Sequence, residues 1–209
     1  SDTWFLYSYG DERFFLSSPN IINGLFSFRN GLFIYSPILV LAIPGVYFLI
    51  QQKNKFGLTI LILVSVYAYF IYSWWAWWYG GSYGSRAMID VYLFWTIALA
   101  ATFQVLHSKW PNQKKILVSV ILVLVGLNGL QIYQHRHGVI HFDSMNADAY
   151  ISSVARLKPA PNLNKLIKHP NYDAVREGRV VADKLESYPI APYISKTKEF
   201  LLLKEFTKT

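Results

Sequence analysis

The stretch WWAWWYGGSYGSRAMID, residues 74–90, determines how the rest of the chain is interpreted. Four tryptophans and two tyrosines lie within its first ten residues, a glycine-rich turn follows, and Arg86 stands at the start of the next apolar run. The flanking segments Phe56–Trp75 and Ala87–Leu106 are apolar, and each has the roughly twenty residues that a helix needs to cross a membrane. The stretch therefore predicts a surface loop between two membrane-spanning helices.

Two further apolar runs, Leu32–Ile50 and Ile116–Tyr133, also have the composition of membrane spans. The first is interrupted by Ser36, a candidate helix N-cap, and by Pro37, which suits the first helical position. A helix that starts at Pro37 rises only about 21 Å before the run ends, which is short of the hydrocarbon core. We therefore expect either a helix that begins near Leu32 or a re-entrant segment over residues 24–35 that packs against protein.

The predicted fold class is all-α, a polytopic membrane helical bundle with a small, mostly helical soluble tail. About four transmembrane helices are expected, the first of them kinked at Pro44 or preceded by the re-entrant segment. Residues 1–31 form an outer-face amphipathic or re-entrant segment, residues 32–133 the four-span membrane domain, and residues 134–209 the tail.

The tail is soluble in composition and carries three candidate helices. The first, over residues 145–157, has Asp143 or Ser144 as its candidate cap. Its expected buried face consists of Met145, Ala149, Tyr150, Val154 and Leu157. Two more helices are expected over residues 174–187 and 196–206, and Gly178 weakens the first of these two.

Composition and charge restrict the function classes. Hydrophobic residues make up 53% of the chain and charged residues 15%, as in membrane proteins. The formal net charge is +8, but the basic residues are scattered, so no nucleic-acid partner is expected. The chain has no cysteine, which excludes disulfides and thiolate metal sites. No cofactor is expected; a divalent metal at His135, His137 and His141 is the alternative, although their spacing fits no familiar site.

The short loops predict the orientation in the membrane. One basic loop carries Lys53 and Lys55, another carries Lys109, Lys114 and Lys115, and the loop between the second and third spans carries only Arg86. Positive loops face the cytoplasm. The aromatic–glycine loop and the tail are therefore expected on the outer face, which is the periplasmic side of a bacterial inner membrane. The chain begins with Ser1, and we expect it to be part of a longer protein.

Arg86 is the strongest candidate for binding a ligand. It follows flexible glycines, among them Gly81, and lies with Ser85 at a helix start, where free backbone amides favour an anion. Its guanidinium presents a fork that fits phosphate. The alternative is an ordinary turn in which Arg86 pairs with Asp90, one helical turn later.

Other candidates also have structural alternatives. The tryptophans can form an aromatic belt at the headgroup level or a surface for a sugar ring or lipid chain. Arg29 is a second outer-face arginine, and the alternative for it is a side chain that extends to the interface. Asp11 and Glu12 are best explained as a solvated turn.

Two sequence segments resemble a known group of enzymes. GLFSFRNGLFIYSP, residues 24–37, followed by WWYGGSYGSR, residues 77–86, resembles bacterial polytopic membrane glycosyltransferases of the GT-C type, such as protein mannosyltransferases and aminoarabinose transferases. Ser85 stands where that pattern commonly has proline. The resemblance covers about residues 20–95.

The resemblance implies a polyprenyl-phosphate sugar donor and transfer on the outer face. It implies that Arg86 contacts the donor phosphate and that Tyr83, Trp77 and Trp78 line the lipid or sugar site. Such enzymes place a catalytic acid in an early outer loop, so this chain is interpreted as a carboxy-terminal portion without that acid. The predicted ligand-binding residues are Arg86, Tyr83, Ser85, Trp77, Trp78, Gly81, Arg29 and Asp90. The alternative function is a non-catalytic membrane scaffold or subunit whose tail docks a partner.

Overall fold

The computed structural model describes residues 12–178, and all regular elements in that range are helices. The α-helices are α1 (Ile21–Phe26), α2 (Leu32–Tyr35), α3 (Ala42–Gln51), α4 (Lys55–Tyr72), α5 (Tyr92–Lys109), α6 (Lys114–Arg136), α7 (Ala147–Ser153), α8 (Leu163–Leu166) and α9 (Tyr172–Arg176). Short 3-10 turns cover Pro37–Leu41, Arg86–Val91 and Pro111–Gln113. The all-α prediction is thereby confirmed for this part of the chain.

Three helical segments are long and apolar enough to cross a membrane. They are Lys55–Tyr72, Arg86–Lys109 and Pro111–Arg136, and they correspond to the predicted second, third and fourth spans. The predicted first span is a shorter apolar helix, Pro37–Gln51. The membrane character of the chain is therefore clear; residues 12–178 contain three helices of full spanning length, and the count of four spans stays a prediction.

The region around Ser36 explains why the first span is short. The backbone of Ser36 leaves the helical conformation, with φ −138° and ψ 63°, and separates α2 from the turn that begins at Pro37. Its side chain does not cap that turn and instead lies 3.2 Å from the Tyr92 hydroxyl. Pro44 falls in the first turn of α3, where a missing amide hydrogen costs little. The irregularity therefore lies before Pro44, in the turn Pro37–Leu41.

The core of the membrane region is built on close packing between α3 and α5. Gly45 lies directly against the backbone carbonyl of Ala98. The Thr102 hydroxyl donates to the Leu41 carbonyl oxygen at 2.6 Å, which ties α5 to the start of the first span. Small residues at such crossings let helix backbones approach in lipid, where burial of apolar side chains gives little driving force.

Helix α6 stands apart from this core and is attached by a polar seam, which consists of Asn128, Gln131 and Gln134. Asn128 donates to the carbonyl oxygen of Tyr35, and Gln131 donates to that of Ile34. Gln134 donates to two carbonyl oxygens of the tail. Spacing of three residues places these side chains on one helical face. The seam therefore fixes the carboxy-terminal end of a helix that is otherwise largely exposed.

The tail packs on the end of the bundle near α2, where Tyr35, Ile140, Met145, Ala149 and Leu163 belong to one buried cluster. The first predicted tail helix is present but shorter, since α7 ends at Ser153.

The predicted cap of the first tail helix was wrong, because Asn146 caps α7 and accepts from the Ala149 amide, while Asp143 and Ser144 have other partners. Val154 and Leu157, expected on the buried face, are exposed. Of the second predicted tail helix the structure describes α9, and the third lies outside the described residues, as does Asp11.

Candidate functional site

The tryptophans after α4 are core residues in this structure. Trp75, Trp77 and Trp78 are buried, and Trp78 packs edge to face against the other two rings. Because these three rings are buried, they form neither an aromatic belt at the headgroup level nor an open surface for a sugar ring. Trp77 and Trp78 instead support the loop that carries Arg86.

Arg86 is exposed at the start of the 3-10 turn that precedes α5. Within residues 12–178 no hydrogen bond or ion pair holds its guanidinium. The alternative pairing with Asp90 is not formed, because an Asp90 carboxylate oxygen accepts from the Tyr67 hydroxyl at 2.8 Å. The same hydroxyl lies 3.0 Å from the Ala87 carbonyl oxygen. Arg86 is therefore a cation at the surface beside a fixed pair of polar side chains.

Tyr79 completes this group. Its hydroxyl donates to the Ile71 carbonyl oxygen at 3.0 Å, at the outer end of α4. Burial raises the pKa of Tyr79 to about 12, with a smaller raising effect from Tyr67, and the charge of Arg86 opposes that rise. Tyr79 therefore stays protonated and lies close enough to Arg86 to feel its charge. We call Arg86, Tyr67, Tyr79 and Asp90 the outer cluster.

An apolar groove on the lipid-facing surface of α4 leads to the outer cluster. The groove has a volume of about 540 Å³. It begins at Thr59 and ends about three helical turns later along α4, at Tyr67 and Ile71. Its walls include Ile62, Leu63, Val66 and Phe70. A groove of this kind accommodates a hydrocarbon chain, because its walls are apolar between the Thr59 hydroxyl, which donates to the Lys55 carbonyl oxygen, and the Tyr67 hydroxyl.

The glycine-rich loop is held in place by its neighbours. Gly81 is exposed and takes φ +79°, a conformation that favours glycine. A Cβ at Gly80 would overlap a carboxylate oxygen of Asp143. Ser85, predicted to bind ligand, is buried, and its hydroxyl lies 2.9 Å from that of Tyr72. The loop therefore offers Gly81 and Arg86 to solvent and uses Ser85 for packing.

A second group of polar residues lies beneath this loop and is centred on Asp143. Its carboxylate accepts from the Trp78 indole at 2.7 Å, from the Ser144 hydroxyl at 2.8 Å, and from the Tyr172 hydroxyl. Burial alone raises the pKa of Asp143. These hydrogen bonds and the charge of Arg29 outweigh that effect, so the pKa of Asp143 lies below its ordinary value.

Arg29 belongs to this buried group and does not extend to the interface, so the snorkelling alternative was wrong. Only 4% of its surface is exposed, its guanidinium lies 5.4 Å from the Trp78 ring centroid, and it donates to the Lys168 carbonyl oxygen. Arg29 therefore connects the residues before α2 with the tail.

The partly buried His141 joins this group, and the exposed His169 lies at its edge. The His141 ring accepts from the amides of Asp143 and Ser144, and the His169 ring lies 2.9 Å from the Ser144 hydroxyl. Burial and the neighbouring His169 lower the pKa of His141. No local spacing predicts this arrangement, because the contact between Trp78 and Asp143 spans 65 positions of the chain.

Tyr83 lies apart from Arg86, in contact with the polar seam. Its hydroxyl is 3.0 Å from the Tyr35 carbonyl oxygen and 3.0 Å from the Asn128 side-chain nitrogen. Burial, with smaller effects from Tyr150 and Tyr92, raises the pKa of Tyr83. Tyr83 thus joins the glycine-rich loop to α6.

The predicted ligand-binding residues therefore separate into three places. Arg86 and Asp90 lie in the outer cluster, Arg29 and Trp78 in the buried group, and Tyr83 at the seam. The histidines proposed as a metal site are not brought together: His137 stacks on Tyr133, and His141 belongs to the buried group. Among residues 12–178 no three His, Asp or Glu side chains are placed to hold a metal ion.

Sequence reasoning missed Tyr67 and Tyr79 as members of the outer cluster. A signal for Tyr67 was available, since helical spacing places it on the same face of α4 as Leu63 and Ile71, which line the groove. Comparison of the chain with protein-family models, with curated proteins and with solved structures gives no match.

Proposed function

We propose that this chain is part of a membrane glycosyltransferase that binds a polyprenyl-phosphate-linked sugar at the outer face of a bacterial inner membrane. The observation that carries the proposal is that the exposed Arg86 precedes Ala87, whose carbonyl oxygen lies 3.0 Å from the hydroxyl of Tyr67, a residue that lines one end of the apolar groove on α4. One end of such a donor is a long hydrocarbon chain and the other a phosphate. The groove fits the hydrocarbon chain, and Arg86 fits the phosphate. The sugar is proposed because residues 24–37 and 77–86 resemble GT-C enzymes.

In the proposed complex the prenyl chain lies against Leu63, Val66 and Phe70, and the phosphate contacts the Arg86 guanidinium. The Tyr67 hydroxyl is held by Asp90 and borders the same place. Because Arg86 has no carboxylate partner in the described residues, it is available to a phosphate without first breaking an ion pair.

The proposed reaction is an inverting transfer. The acceptor hydroxyl attacks the anomeric carbon, the bond from that carbon to the phosphate oxygen breaks, and the phosphate leaves with the electron pair. Arg86 stabilises the negative charge that develops on the leaving phosphate. The proton of the acceptor goes to a general base that the resemblance places in an earlier outer loop.

The test uses the full-length protein in nanodiscs and a photoreactive polyprenyl phosphate. A hydrogen bond between charged groups contributes about 1.5–3 kcal/mol, so Arg86→Ala should weaken binding roughly ten- to a hundredfold. Arg86→Lys keeps the charge but loses the fork and should fall in between. Arg156→Ala, at another exposed arginine, is the matched control and should bind like wild type. Unchanged binding by Arg86→Ala removes Arg86 from the site and favours the scaffold alternative.

A further inference from the structure

A second apolar space lies at the opposite end of the bundle, between α5 and α6. This cleft has a volume of about 430 Å³, and its wall is formed by Phe103, Leu106, Trp110, Lys114, Leu117 and Ile121, with Val120 also lining it. The cleft is almost entirely apolar, and its polar residues, among them Lys114, lie near the turn Pro111–Gln113. It lies on the membrane side opposite to Arg86, because α5 separates the two.

The cleft exists because α6 diverges from α5. In the described chain the close backbone contacts of α6 are with the turn Pro111–Gln113 and with the turn Pro37–Leu41. The polar seam holds the other end of α6. The apolar gap between the two helices opens toward the bilayer, and close-packed interiors do not leave such spaces empty.

The charge at the mouth of the cleft is uniformly positive. Lys114 lines the cleft, and Lys109 and Lys115 lie nearby in the chain. No Asp or Glu occurs between Asp90 and Asp143, so neither helix nor their connecting turn carries an acid to neutralise these lysines. Trp110 is 52% exposed at the same level, as is common for tryptophan at the headgroup region.

We propose that this cleft binds an acidic phospholipid of the leaflet on the side of the lysine loops. One acyl chain fills the space between Phe103 and Leu117, and the anionic headgroup contacts Lys114. Basic pockets between membrane helices on the cytoplasmic side suit such headgroups, and Lys114, which lines the cleft, contributes about fivefold in affinity. The proposal is independent of the glycosyltransferase reaction, since it concerns the other face of the membrane.

The experiment measures fluorescence quenching by lipids with brominated chains in nanodiscs. The signal of Trp110 is taken as the difference between wild type and Trp110→Phe. Brominated phosphatidylglycerol should quench this signal at about fivefold lower mole fraction than brominated phosphatidylcholine. Lys114→Gln should abolish the preference, and Lys115→Gln, a lysine that does not line the cleft, should keep it.

A second pair of variants tests the space itself. Val120→Phe fills the cleft and should reduce quenching by both lipids, whereas Val125→Phe, at an exposed position of α6 outside the cleft, should not. Equal quenching by the two lipids overturns the proposal, as does an equal effect of Lys114→Gln and Lys115→Gln. Protection of Trp110 from both lipids would show that protein occupies the cleft, and would also overturn it.

Discussion

At the scale of single residues, Asp143 determines how the tail joins the aromatic loop. Three donors converge on one buried carboxylate: the Trp78 indole, the hydroxyl of the adjacent Ser144 and the Tyr172 hydroxyl. A buried charge is tolerated only when it is paired and hydrogen-bonded, and here Arg29 supplies the opposite charge. The carboxylate therefore makes a tail that looked separable from the sequence an integral part of the bundle.

Replacement of this carboxylate should destabilise the protein. Asp143→Asn keeps the size of the side chain but removes the charge. It also replaces one acceptor oxygen by an amide NH2 group, which cannot accept from the surrounding donors. We expect a loss of about 2–3 kcal/mol, because hydrogen bonds to charged groups are lost in a buried place. Thermal unfolding of the full-length protein in detergent, followed by tryptophan fluorescence, measures the change. Asp148→Asn, at an exposed acid of α7, should leave the midpoint in place, and an equal shift in both variants contradicts the assignment.

The same group predicts that acid loosens the tail. The pKa of His141 is lowered in the folded protein, so below its ordinary value near 6.5 the unfolded chain binds the proton more readily and stability falls. The pKa of Asp143 is also lowered, so its contribution is present above its ordinary value and is lost as the pH falls through the folded value. Both effects have the same sign.

His141→Asn separates the two steps. The Asn oxygen can accept from the amides of Asp143 and Ser144 as the ring nitrogen does, but it does not titrate. The decline of the unfolding midpoint just below pH 6.5 should become smaller in this variant. His107→Asn, at an exposed residue of α5, is the control. An unchanged decline in His141→Asn would assign the acid sensitivity to another group.

At the scale of the elements, the second, third and fourth spans were predicted from hydropathy, and the structure places all three within a few residues. Length and composition suffice to predict these spans because a helix that faces lipid must be apolar over the whole thickness of the hydrocarbon core. The start and length of the first span could not be predicted from hydropathy. The backbone of Ser36 breaks the helix, and this break depends on partners far along the chain, such as Tyr92.

Site residues were predicted less well than spans, and the reason is physical. Arg86 was identified because an outer-face arginine beside glycines is a local pattern. Arg29 and Trp78 were assigned to a surface, but contacts with Asp143 and Lys168 bury them. These contacts join residues more than sixty positions apart, so they cannot be predicted from the local spacing of residues in the sequence.

The packing of α3 on α5 predicts that Gly→Ala substitutions at two positions change the stability of the protein in opposite directions. A Cβ at Gly45 would overlap the Ala98 carbonyl, which belongs to backbone and cannot move away cheaply. Gly45→Ala should therefore lower stability by about 1–3 kcal/mol, the usual cost of overpacking. Gly126→Ala, in α6, meets open space and should raise stability by about 0.5–1 kcal/mol through helix propensity. Unfolding in sodium dodecyl sulfate, titrated against mild detergent, measures both, and two changes of the same sign contradict the close approach.

At the scale of the whole molecule, the two proposed lipid sites lie at opposite ends of the bundle. The outer cluster adjoins the end of α4, and the cleft adjoins the turn between α5 and α6. Three successive spans place these two turns on opposite sides of the membrane. The proposed site for a phosphate-bearing lipid is thus separate from the proposed site for an acidic phospholipid, and the orientation of the chain decides which leaflet each one faces.

That orientation is directly testable, because the chain contains no cysteine and a single introduced thiol is the only one within it that a maleimide can modify. The alternation of spans predicts that Gln52→Cys and Asn112→Cys react from one side, and that Ser82→Cys and Lys158→Cys react from the other. The lysine loops predict which side is which, because positive loops stay in the cytoplasm. A membrane-impermeant maleimide added to intact spheroplasts should therefore label the second pair and spare the first until the membrane is opened. Labelling of Gln52→Cys and Ser82→Cys from the same side would contradict α4 as a span. Labelling of the first pair alone would keep the spans but place Arg86 in the cytoplasm, and would thereby exclude transfer on the outer face.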